Sequence, residues 1–315
     1  MPFWLELVLG IVSLIVGADL LVRGAAKIAR GLGVAPIVIG LTLVAYGTSA
    51  PEFAVSATAT LRGVGAIALG NALGSNVANI GLVLGFSALL RPIRVERTIV
   101  KREAPLLVGV ALLFPLVFVN AQITRWEGLL AFTGGVAFTV WSLKTSKQRE
   151  NVPDKVKLDF KQWMINLAFA GAGIVGLIFG GDWIVNGAGE LALRLGMSPR
   201  VIALTVVAVG TSLPELATSV TAMIKDESDI AIGNIIGSNL FNLLFVLGGA
   251  TALAPVELTP DLVAWPGVWV DAAVGLGLAL ILWPFASSKL RLERWEGAVL
   301  LAIYIAYIYY NIVAG

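Results

Sequence analysis

The sequence contains no cysteine and no histidine. Without cysteine the chain has no disulfide and no thiolate metal site, and without histidine it has neither an imidazole ligand nor an imidazole base. Charged residues are also scarce, at 13% of 315 residues, against about 25% in soluble domains. A cation bound by this chain would therefore have to be held by oxygen ligands.

Apolar residues are abundant, at 58% of the chain, and they recur in runs near the ~20 residues that cross a bilayer. We predict an all-α integral membrane protein of ten transmembrane helices, at about 3–22, 34–61, 65–90, 104–119, 126–143, 163–185, 199–224, 229–252, 267–285 and 295–312. The first run lacks a basic n-region and a small-residue cleavage site, so we interpret it as a retained span rather than a signal peptide.

The polar segment 144–162 divides these spans into a first five-span repeat, 1–143, and a second, 163–315. With the spans placed in this way, 18 Lys and Arg residues fall on the side of this linker. Four fall on the other side, namely Arg62, Arg125, Arg194 and Arg200. Because basic loops stay cytoplasmic, we expect a cytoplasmic linker and extracellular termini in the plasma membrane.

The two halves of the chain repeat each other. Residues 38–85 align without gaps onto 201–248, at an offset of 163, with 26 identities in 48 positions. The run RWEG at 125–128 also returns at 294–297, at an offset of 169. Since each half has an odd number of predicted spans, the second copy would enter the membrane from the opposite face. Such inverted repeats are typical of secondary transporters, whose site lies near the midplane between the repeats.

Each copy carries one acid inside a predicted span, Glu52 in the second and Glu215 in the seventh. An uncompensated carboxylate at that depth costs about 3 kcal/mol or more. A glutamate held neutral, or paired with a basic side chain, would be a structural explanation. No Lys or Arg lies within the parts of these spans that the repeated blocks 38–85 and 201–248 cover. Two unpaired acids related by inversion therefore favour a bound cation.

Hydroxyl and amide side chains accompany both glutamates at helical spacing. A single intramembrane hydroxyl commonly bonds back to its own helix, but here one pattern occurs twice, which favours a ligand cluster. The first copy has Thr48, Ser49, Ser75 and Asn79. The second copy has Thr211, Ser212, Ser238 and Asn242.

Pro51 and Pro214 directly precede the two glutamates. A proline inside a helix lacks the N–H that would bind the carbonyl four residues back, here that of Gly47 or Gly210. An isolated proline often only kinks a membrane helix. Beside Gly-Thr-Ser and a glutamate, unwound backbone offers further oxygens to a cation.

Oxygen-only ligation suits hard ions such as Ca²⁺ or Na⁺. Two carboxylates are neutralised by one Ca²⁺ or compensated by several Na⁺, whereas the empty, doubly negative site is unfavourable in a low-dielectric barrier. Such a site moves readily only when it is loaded. This behaviour favours an exchanger over a channel or a uniporter.

At these residues the chain resembles the sodium/calcium exchanger branch of the calcium/cation antiporter superfamily. The GTSxPE and GNxxGSNxxN runs, each present twice, match the two alpha repeats of that family. The resemblance implies Ca²⁺ held by Glu52 and Glu215 with the backbone carbonyls of Thr48 and Thr211. It implies flanking Na⁺ sites, with Asn79 and Asn242 completing the centre. The residues of the Na⁺ sites would be Ala45, Thr48, Ser49, Glu52 and Ser75 on one side, and Ala208, Thr211, Ser212, Glu215 and Ser238 on the other.

The chain departs from some members of this family at Asn242, where they have aspartate. This departure argues against the potassium-dependent branch. The large cytosolic insert of animal exchangers is also absent, so the chain is similar to the prokaryotic type without a regulatory domain. We expect a monomer surrounded by membrane lipid, with no enzymatic activity, no cofactor and no nucleic-acid partner.

Na⁺/Ca²⁺ exchange by alternating access is the main hypothesis for function. An H⁺/Ca²⁺ antiporter would use the same two glutamates to take up protons, but the Ser and Thr oxygens favour sodium. An intramembrane acid protease would leave the Ser, Thr and Asn residues without a role, and a cation channel fits the inverted repeat poorly. Asp19 and Asp182 correspond across the repeats near span ends, and we interpret them as structural, Asp19 by pairing with Arg23 one turn on.

Overall fold

The structure, a computed structural model, describes residues 1–118, 121–149, 152–197, 208–258 and 267–314. These residues are almost entirely helical, which confirms the predicted all-α class. The helices, in chain order, are α1 (Phe3–Leu32), α2 (Pro36–Thr48), α3 (Ala50–Leu61), α4 (Gly65–Leu90), α5 (Ala104–Leu113), α6 (Arg125–Lys144), α7 (Phe160–Arg194), α8 (Ala208–Thr211), α9 (Leu213–Ile224), α10 (Ser228–Leu253), α11 (Gly267–Lys289) and α12 (Arg294–Ala314).

Six helices in the described ranges are long and apolar enough to cross a membrane, namely α1, α4, α7, α10, α11 and α12. The number rises to seven if α2 and α3, which meet at an angle of 48°, are counted as one broken span. The chain is thus an all-helical protein with several candidate spans, and the full count of ten stays a prediction. The start of the predicted seventh span, 199–207, lies outside the described residues, as does Arg200.

The first and sixth predicted spans, 3–22 and 163–185, were too short. Helix α1 continues to Leu32 because the face with Ala25, Ile28 and Ala29 is buried, while Arg23, Lys27 and Arg30 lie on the exposed face. It ends at Gly33, whose φ of 67° is in the left-handed region that favours glycine. Helix α7 begins at Phe160, where the Asp159 side chain accepts a hydrogen bond from the Gln162 backbone N–H at 2.7 Å.

Helices α1 and α7 form a closely packed antiparallel pair. Glycines make this approach possible: a Cβ added at Gly17 would lie 2.9 Å from the Gly173 carbonyl oxygen, and one added at Gly173 would lie 2.7 Å from the Gly17 carbonyl oxygen. The Ser13 hydroxyl also donates to the Gly176 carbonyl oxygen at 2.7 Å. The two helices are therefore joined over several turns by backbone contact.

Two short antiparallel strand pairs connect distant parts of the chain at opposite ends of the molecule. Strand β1 (Ile93–Arg94) pairs with β4 (Arg291–Leu292), and β2 (Gln122–Ile123) pairs with β3 (Val256–Glu257). Helix α4 begins beside β3 and ends just before β1, so the pairs lie at its two ends. We call the end that holds β2 and β3 the Arg62 end, and the end that holds β1 and β4 the Lys225 end.

Candidate functional site

Glu52 and Glu215 lie in the protein interior, where each is 1% exposed. Each follows a break in the helical chain, because α2 ends at Thr48 and α8 ends at Thr211, while Pro51 and Pro214 open the next helix. Each glutamate consequently lies in the first turn of α3 or α9. A helix N-terminus carries partial positive charge, which favours a carboxylate there.

Side chains from the two halves of the chain meet at these breaks. The Ser49 hydroxyl donates to Glu215 Oε1 at 2.9 Å, so the first half directly contacts the acid of the second. The Thr48 hydroxyl donates to Asn234 Oδ1 at 3.1 Å. The Ala45 carbonyl oxygen accepts from the Ser49 N–H at 3.0 Å and from the Thr48 hydroxyl at 3.4 Å. The breaks thus bring hydroxyl, carbonyl and carboxyl oxygens into one buried region.

Several oxygens in this region have no hydrogen-bond partner among the described residues. They include Oε2 of Glu52, Oε2 of Glu215, Oγ of Ser212, Oδ1 of Asn79 and Oδ1 of Asn242. Buried polar atoms are normally paired, and an unpaired carboxylate oxygen is particularly unfavourable. A desolvated cation is the partner that such a set of acceptors suits.

The acidic charge of the region comes from few residues. The described part of the chain contains no group of three or more Asp or Glu side chains that could hold a metal ion. The other oxygens near Glu52 and Glu215 belong to neutral groups. The donor set, two carboxylates with hydroxyl, amide and carbonyl oxygens, fits hard cations such as Ca²⁺ and Na⁺.

Most of the predicted ligand residues are buried together with the two glutamates. At most 4% of each of the following is exposed: Ala45, Thr48, Ser49, Ser75, Asn79, Ser212, Ser238 and Asn242. Thr211 is half-buried at the end of α8, and Ala208 begins that helix. Ion coordination by these residues, and by the freed carbonyls of Gly47 and Gly210, stays a prediction.

Two asparagines that were not predicted as site residues make hydrogen bonds to residues of the site and to the helices that carry them. Asn71 Nδ2 donates to the backbone oxygen of Glu52 at 3.1 Å and to the Ser56 hydroxyl at 2.9 Å. Asn234, which accepts from Thr48, donates to the Ser219 hydroxyl at 3.2 Å. Asn71 and Asn234 occupy the same position in the GNxxGSN runs of the two copies, and this identity was the signal that could have identified them.

A second pair of asparagines links the two copies of the GNxxGSN run to each other. Asn76 Nδ2 donates to the Asn239 carbonyl oxygen at 3.2 Å, and Asn242 Nδ2 donates to Asn76 Oδ1 at 3.2 Å. These bonds hold α4 against α10 at the level of the predicted ligands. They also orient Asn242, whose Oδ1 has no hydrogen-bond partner within the ranges that the structure describes.

Wider π-helical turns begin at two predicted ligands and were not anticipated from the sequence. One runs from Asn79 to Leu84 in α4, and the other from Asn242 to Leu247 in α10. Such turns insert one residue into an α-helix and are frequent at functional sites. They change the direction of the side chains that follow each asparagine. The fold and the site together define a membrane protein with paired carboxylates in an oxygen-lined interior.

Comparison with known proteins places the chain in a family. The sequence profile described as "Sodium/calcium exchanger protein" matches residues 2–144 and 165–313. The putative antiporter CaxA of Alkalimonas amylolytica is 43% identical over 313 residues, which cover 95% of each chain. The sodium/calcium exchanger MaX1 of Methanosarcina acetivorans is 33% identical over 347 aligned positions, which cover 97% of each chain.

A solved structure agrees with this result. The sodium-calcium exchanger NCX_Mj, soaked with zero Na⁺ and Ca²⁺, superposes with a TM-score of 0.84 at 31% identity, covering 98% of each chain. The chain therefore belongs to the sodium/calcium exchanger family, which confirms the resemblance found in its GTSxPE and GNxxGSNxxN runs. It is a multi-pass membrane protein of a cation antiporter family rather than of an enzyme family.

Proposed function

We propose that this chain exchanges Ca²⁺ for Na⁺ across the plasma membrane by alternating access to a site between Glu52 and Glu215. The observation that carries the proposal is the pair of interior carboxyl groups, each with an oxygen that has no hydrogen-bond partner in the described part of the chain. The names of MaX1 and NCX_Mj as sodium/calcium exchangers support the choice of ions.

Charge balance explains why the two ions would exchange rather than flow. One Ca²⁺ neutralises both glutamates, and Na⁺ ions held partly by neutral oxygens compensate them as well. Without a cation, two negative charges would have to cross a region of low dielectric constant, which is strongly unfavourable. The loaded states would therefore interconvert, while the empty state would not.

The proposed ligands are those expected from the family resemblance. Glu52 and Glu215, with the carbonyls of Thr48 and Thr211, would hold Ca²⁺. The hydroxyls of Ser49, Ser75, Ser212 and Ser238, with the carbonyls of Ala45 and Ala208, would contribute to Na⁺ binding, and Asn79 and Asn242 would complete the centre.

The proposal includes ten spans arranged as two inverted five-helix repeats, 1–143 and 163–315, joined by the linker 144–162. Two structural features support it. An offset of 163 relates β1 to β3, and an offset of 169 relates β2 to β4, so the strand pairs at opposite ends occupy equivalent positions. Close glycine contacts between α1 and α7 also occur in equivalent pairs, Gly10 with Gly180 and Gly17 with Gly173.

H⁺/Ca²⁺ exchange is the alternative, and one experiment separates it from Na⁺/Ca²⁺ exchange. Purified protein is reconstituted into liposomes, and Ca²⁺ uptake is measured at clamped voltage under either an outward Na⁺ gradient or an outward H⁺ gradient. We expect the Na⁺ gradient to drive uptake and the H⁺ gradient to have little effect. Uptake driven by the H⁺ gradient alone would overturn the sodium assignment and leave the Ca²⁺ site intact.

A further inference from the structure

An ion pair ties α1 to the end of α9 at the Lys225 end of the molecule. Lys225 directly follows α9, the helix that carries Glu215, and its Nζ lies 2.6 Å from Asp19 Oδ1. Asp19 lies on α1, and its other carboxylate oxygen is 2.8 Å from Arg23 Nε, as predicted. At this end, α1 is therefore held against one of the two helices that carry the acids of the site.

The repeat offset of 163 relates this ion pair to a second pair of residues at the opposite end. Asp19 corresponds to Asp182 on α7, and Lys225 corresponds to Arg62, which directly follows α3. Helices α3 and α9 end in the same way. Gly63, the residue after Arg62, has a φ of 75°, and Asp226, the residue after Lys225, has a φ of 60°. Yet no ion pair joins Asp182 to Arg62 in the described structure.

Asp182 and Arg62 instead line the same open cavity of about 500 Å³, which reaches Pro51 beside Glu52. Most of the equivalent residues at the other end are less exposed, although Ile15, the counterpart of Ile178, is 62% exposed. Val55 in this cavity is 41% exposed, whereas Thr218 at the equivalent position is 0% exposed. Thr58 is exposed, whereas its counterpart Thr221 is half-buried. The groove beside α3 at the Arg62 end is therefore open, whereas the equivalent face of α9 at the Lys225 end is covered.

Helices α1 and α7 cannot change their contacts independently, because their glycine backbones are in direct contact and Ser13 is bonded to Gly176. A shift that separates Asp19 on α1 from Lys225 would therefore move Asp182 on α7 as well. The symmetry of the repeat makes the closed arrangement of one end available to the other. In that second arrangement Asp182 would approach Arg62 and cover the cavity.

From these observations, and resting on the proposed exchange function, we propose that Asp19–Lys225 and Asp182–Arg62 are two alternating ion-pair latches of the transport cycle. One latch is formed when the molecule is open at the other end, and both are not formed together. Ion pairs that are partly exposed, such as Asp19 and Lys225 at 30% and 27% exposure, are weak. This weakness suits a contact that must break in every cycle.

The surroundings of the two latches differ. At the Lys225 end a second ion pair, Arg30 with Glu227 at 3.1 Å, also joins α1 to the segment after α9, and the equivalent positions at the Arg62 end are the uncharged Leu193 and Val64. Arg23 gives Asp19 a second cation, whereas the equivalent position beside Asp182 is Asn186. The latch at the Lys225 end therefore has more favourable charge interactions than the latch at the Arg62 end. This difference favours the arrangement seen in the structure, with the Arg62 end open.

The absence of native cysteine provides a direct test by thiol labelling. Thr58→Cys and Thr221→Cys place a single reporter at equivalent positions of the two ends. Each is reacted in detergent with a charged maleimide, which reaches both ends of the protein. Because a nearby charge alters thiol reactivity, each latch variant is read at the far reporter.

Lys225→Ala should slow the labelling of Thr58→Cys, since loss of the latch at the Lys225 end lets the Arg62 end close. Arg62→Ala should slow the labelling of Thr221→Cys for the reciprocal reason. Loss of a partly exposed ion pair should shift the equilibrium between the two arrangements by about two- to five-fold. Thr221→Cys reports the less populated arrangement and should show nearly the whole change, whereas Thr58→Cys reports the more populated one and should show a smaller decrease. Lys225→Arg and Arg62→Lys retain the positive charge. In proteins that carry either of them, the reporter cysteine should be labelled as fast as in the protein that carries the reporter alone.

Both far-end rates must fall for the proposal to hold, and any other pattern overturns it. Gel filtration of each variant identifies misfolded protein before labelling. Labelling does not depend on which ion drives transport. Failure of the proposed exchange function would instead be seen as absence of Na⁺-driven Ca²⁺ uptake by the unmodified protein.

Discussion

At the scale of single residues, Glu52 and Glu215 are the groups on which the electrostatics of the site depends. Their positions in the first turn of α3 and α9 provide dipole stabilisation of about 0.3–2 kcal/mol each. Burying a carboxylate in a membrane protein costs about 3 kcal/mol or more. The helix N-termini therefore offset only part of this cost, and the cation of the proposed exchange would compensate the remaining charge of the two carboxylates.

Replacing either acid should abolish transport. Glu52→Gln and Glu215→Gln keep the shape of the side chain while removing one of two negative charges, so the site can no longer neutralise Ca²⁺. We expect Na⁺-driven Ca²⁺ uptake in proteoliposomes to fall to background, with an unchanged gel-filtration profile. Glu190→Gln is the control, because Glu190 forms an exposed ion pair with Arg194 at 2.5 Å and should retain uptake. Activity in the double variant of Glu52 and Glu215 would contradict the site.

At the scale of helices, the most extensive packing among the described residues lies between α1 and α7, where glycines allow backbone contact. This arrangement differs from a side-chain interface, because van der Waals contact between backbones leaves no room for even a methyl group. A Cβ at Gly173 would lie 2.5 Å from the Leu21 backbone nitrogen. Two residues earlier on the same helix, a Cβ at Gly171 would meet no atom within 4 Å.

These two glycines provide a matched test of the α1–α7 contact. Gly173→Ala should destabilise the protein by about 1–3 kcal/mol through overpacking. Gly171→Ala should be neutral, or stabilise by up to about 1 kcal/mol through higher helix propensity. Thermal unfolding in detergent measures both. Equal unfolding temperatures for the two variants would show that α1 and α7 separate easily, which would also weaken the argument that they shift together.

At the scale of the whole molecule, basic residues from distant parts of the chain converge at the Lys225 end. Arg30 pairs with Glu227 at 3.1 Å, and Arg91 pairs with Asp226 at 2.5 Å. The segment after α6 joins them, since the Val156 N–H donates to the Arg30 carbonyl oxygen at 3.0 Å. This end therefore collects the loops that the distribution of Lys and Arg predicts to be cytoplasmic.

The predicted orientation can be tested with single cysteines in intact cells. Pro2→Cys is exposed near the N-terminus, and Asp154→Cys is exposed between α6 and α7. An impermeant maleimide added outside should label Pro2→Cys at once, and should label Asp154→Cys only after permeabilisation. The reverse pattern would mean that the Lys225 end faces outward.

The sequence alone was sufficient for the all-α class, the family and the two buried acids. Hydropathy of contiguous segments governs membrane insertion, and two acids in apolar segments stand out because charge is rare there. The prolines before Glu52 and Glu215 likewise marked the positions where the helices break. Each of these features depends on residues that are close together in the chain.

The hydrogen bonds that cross between the halves could not be predicted in this way. Thr48 meets Asn234, and Ser49 meets Glu215, only because α2 and α9 pack together with α10 in three dimensions. Helices α1 and α7 are also longer than the apolar runs predict, since their ends are stabilised by packing and caps rather than by hydropathy.

The repeat itself set the limit of sequence reasoning. The repeated blocks, with 26 identities in 48 positions, are compatible with closure of either end, and the sequence does not determine which end is closed. The tertiary structure removes this ambiguity by pairing Asp19 with Lys225 while Asp182 and Arg62 line an open cavity. The physical reason is that the Asp19–Lys225 and Arg30–Glu227 ion pairs join residues that are far apart in the sequence and meet only in the folded chain.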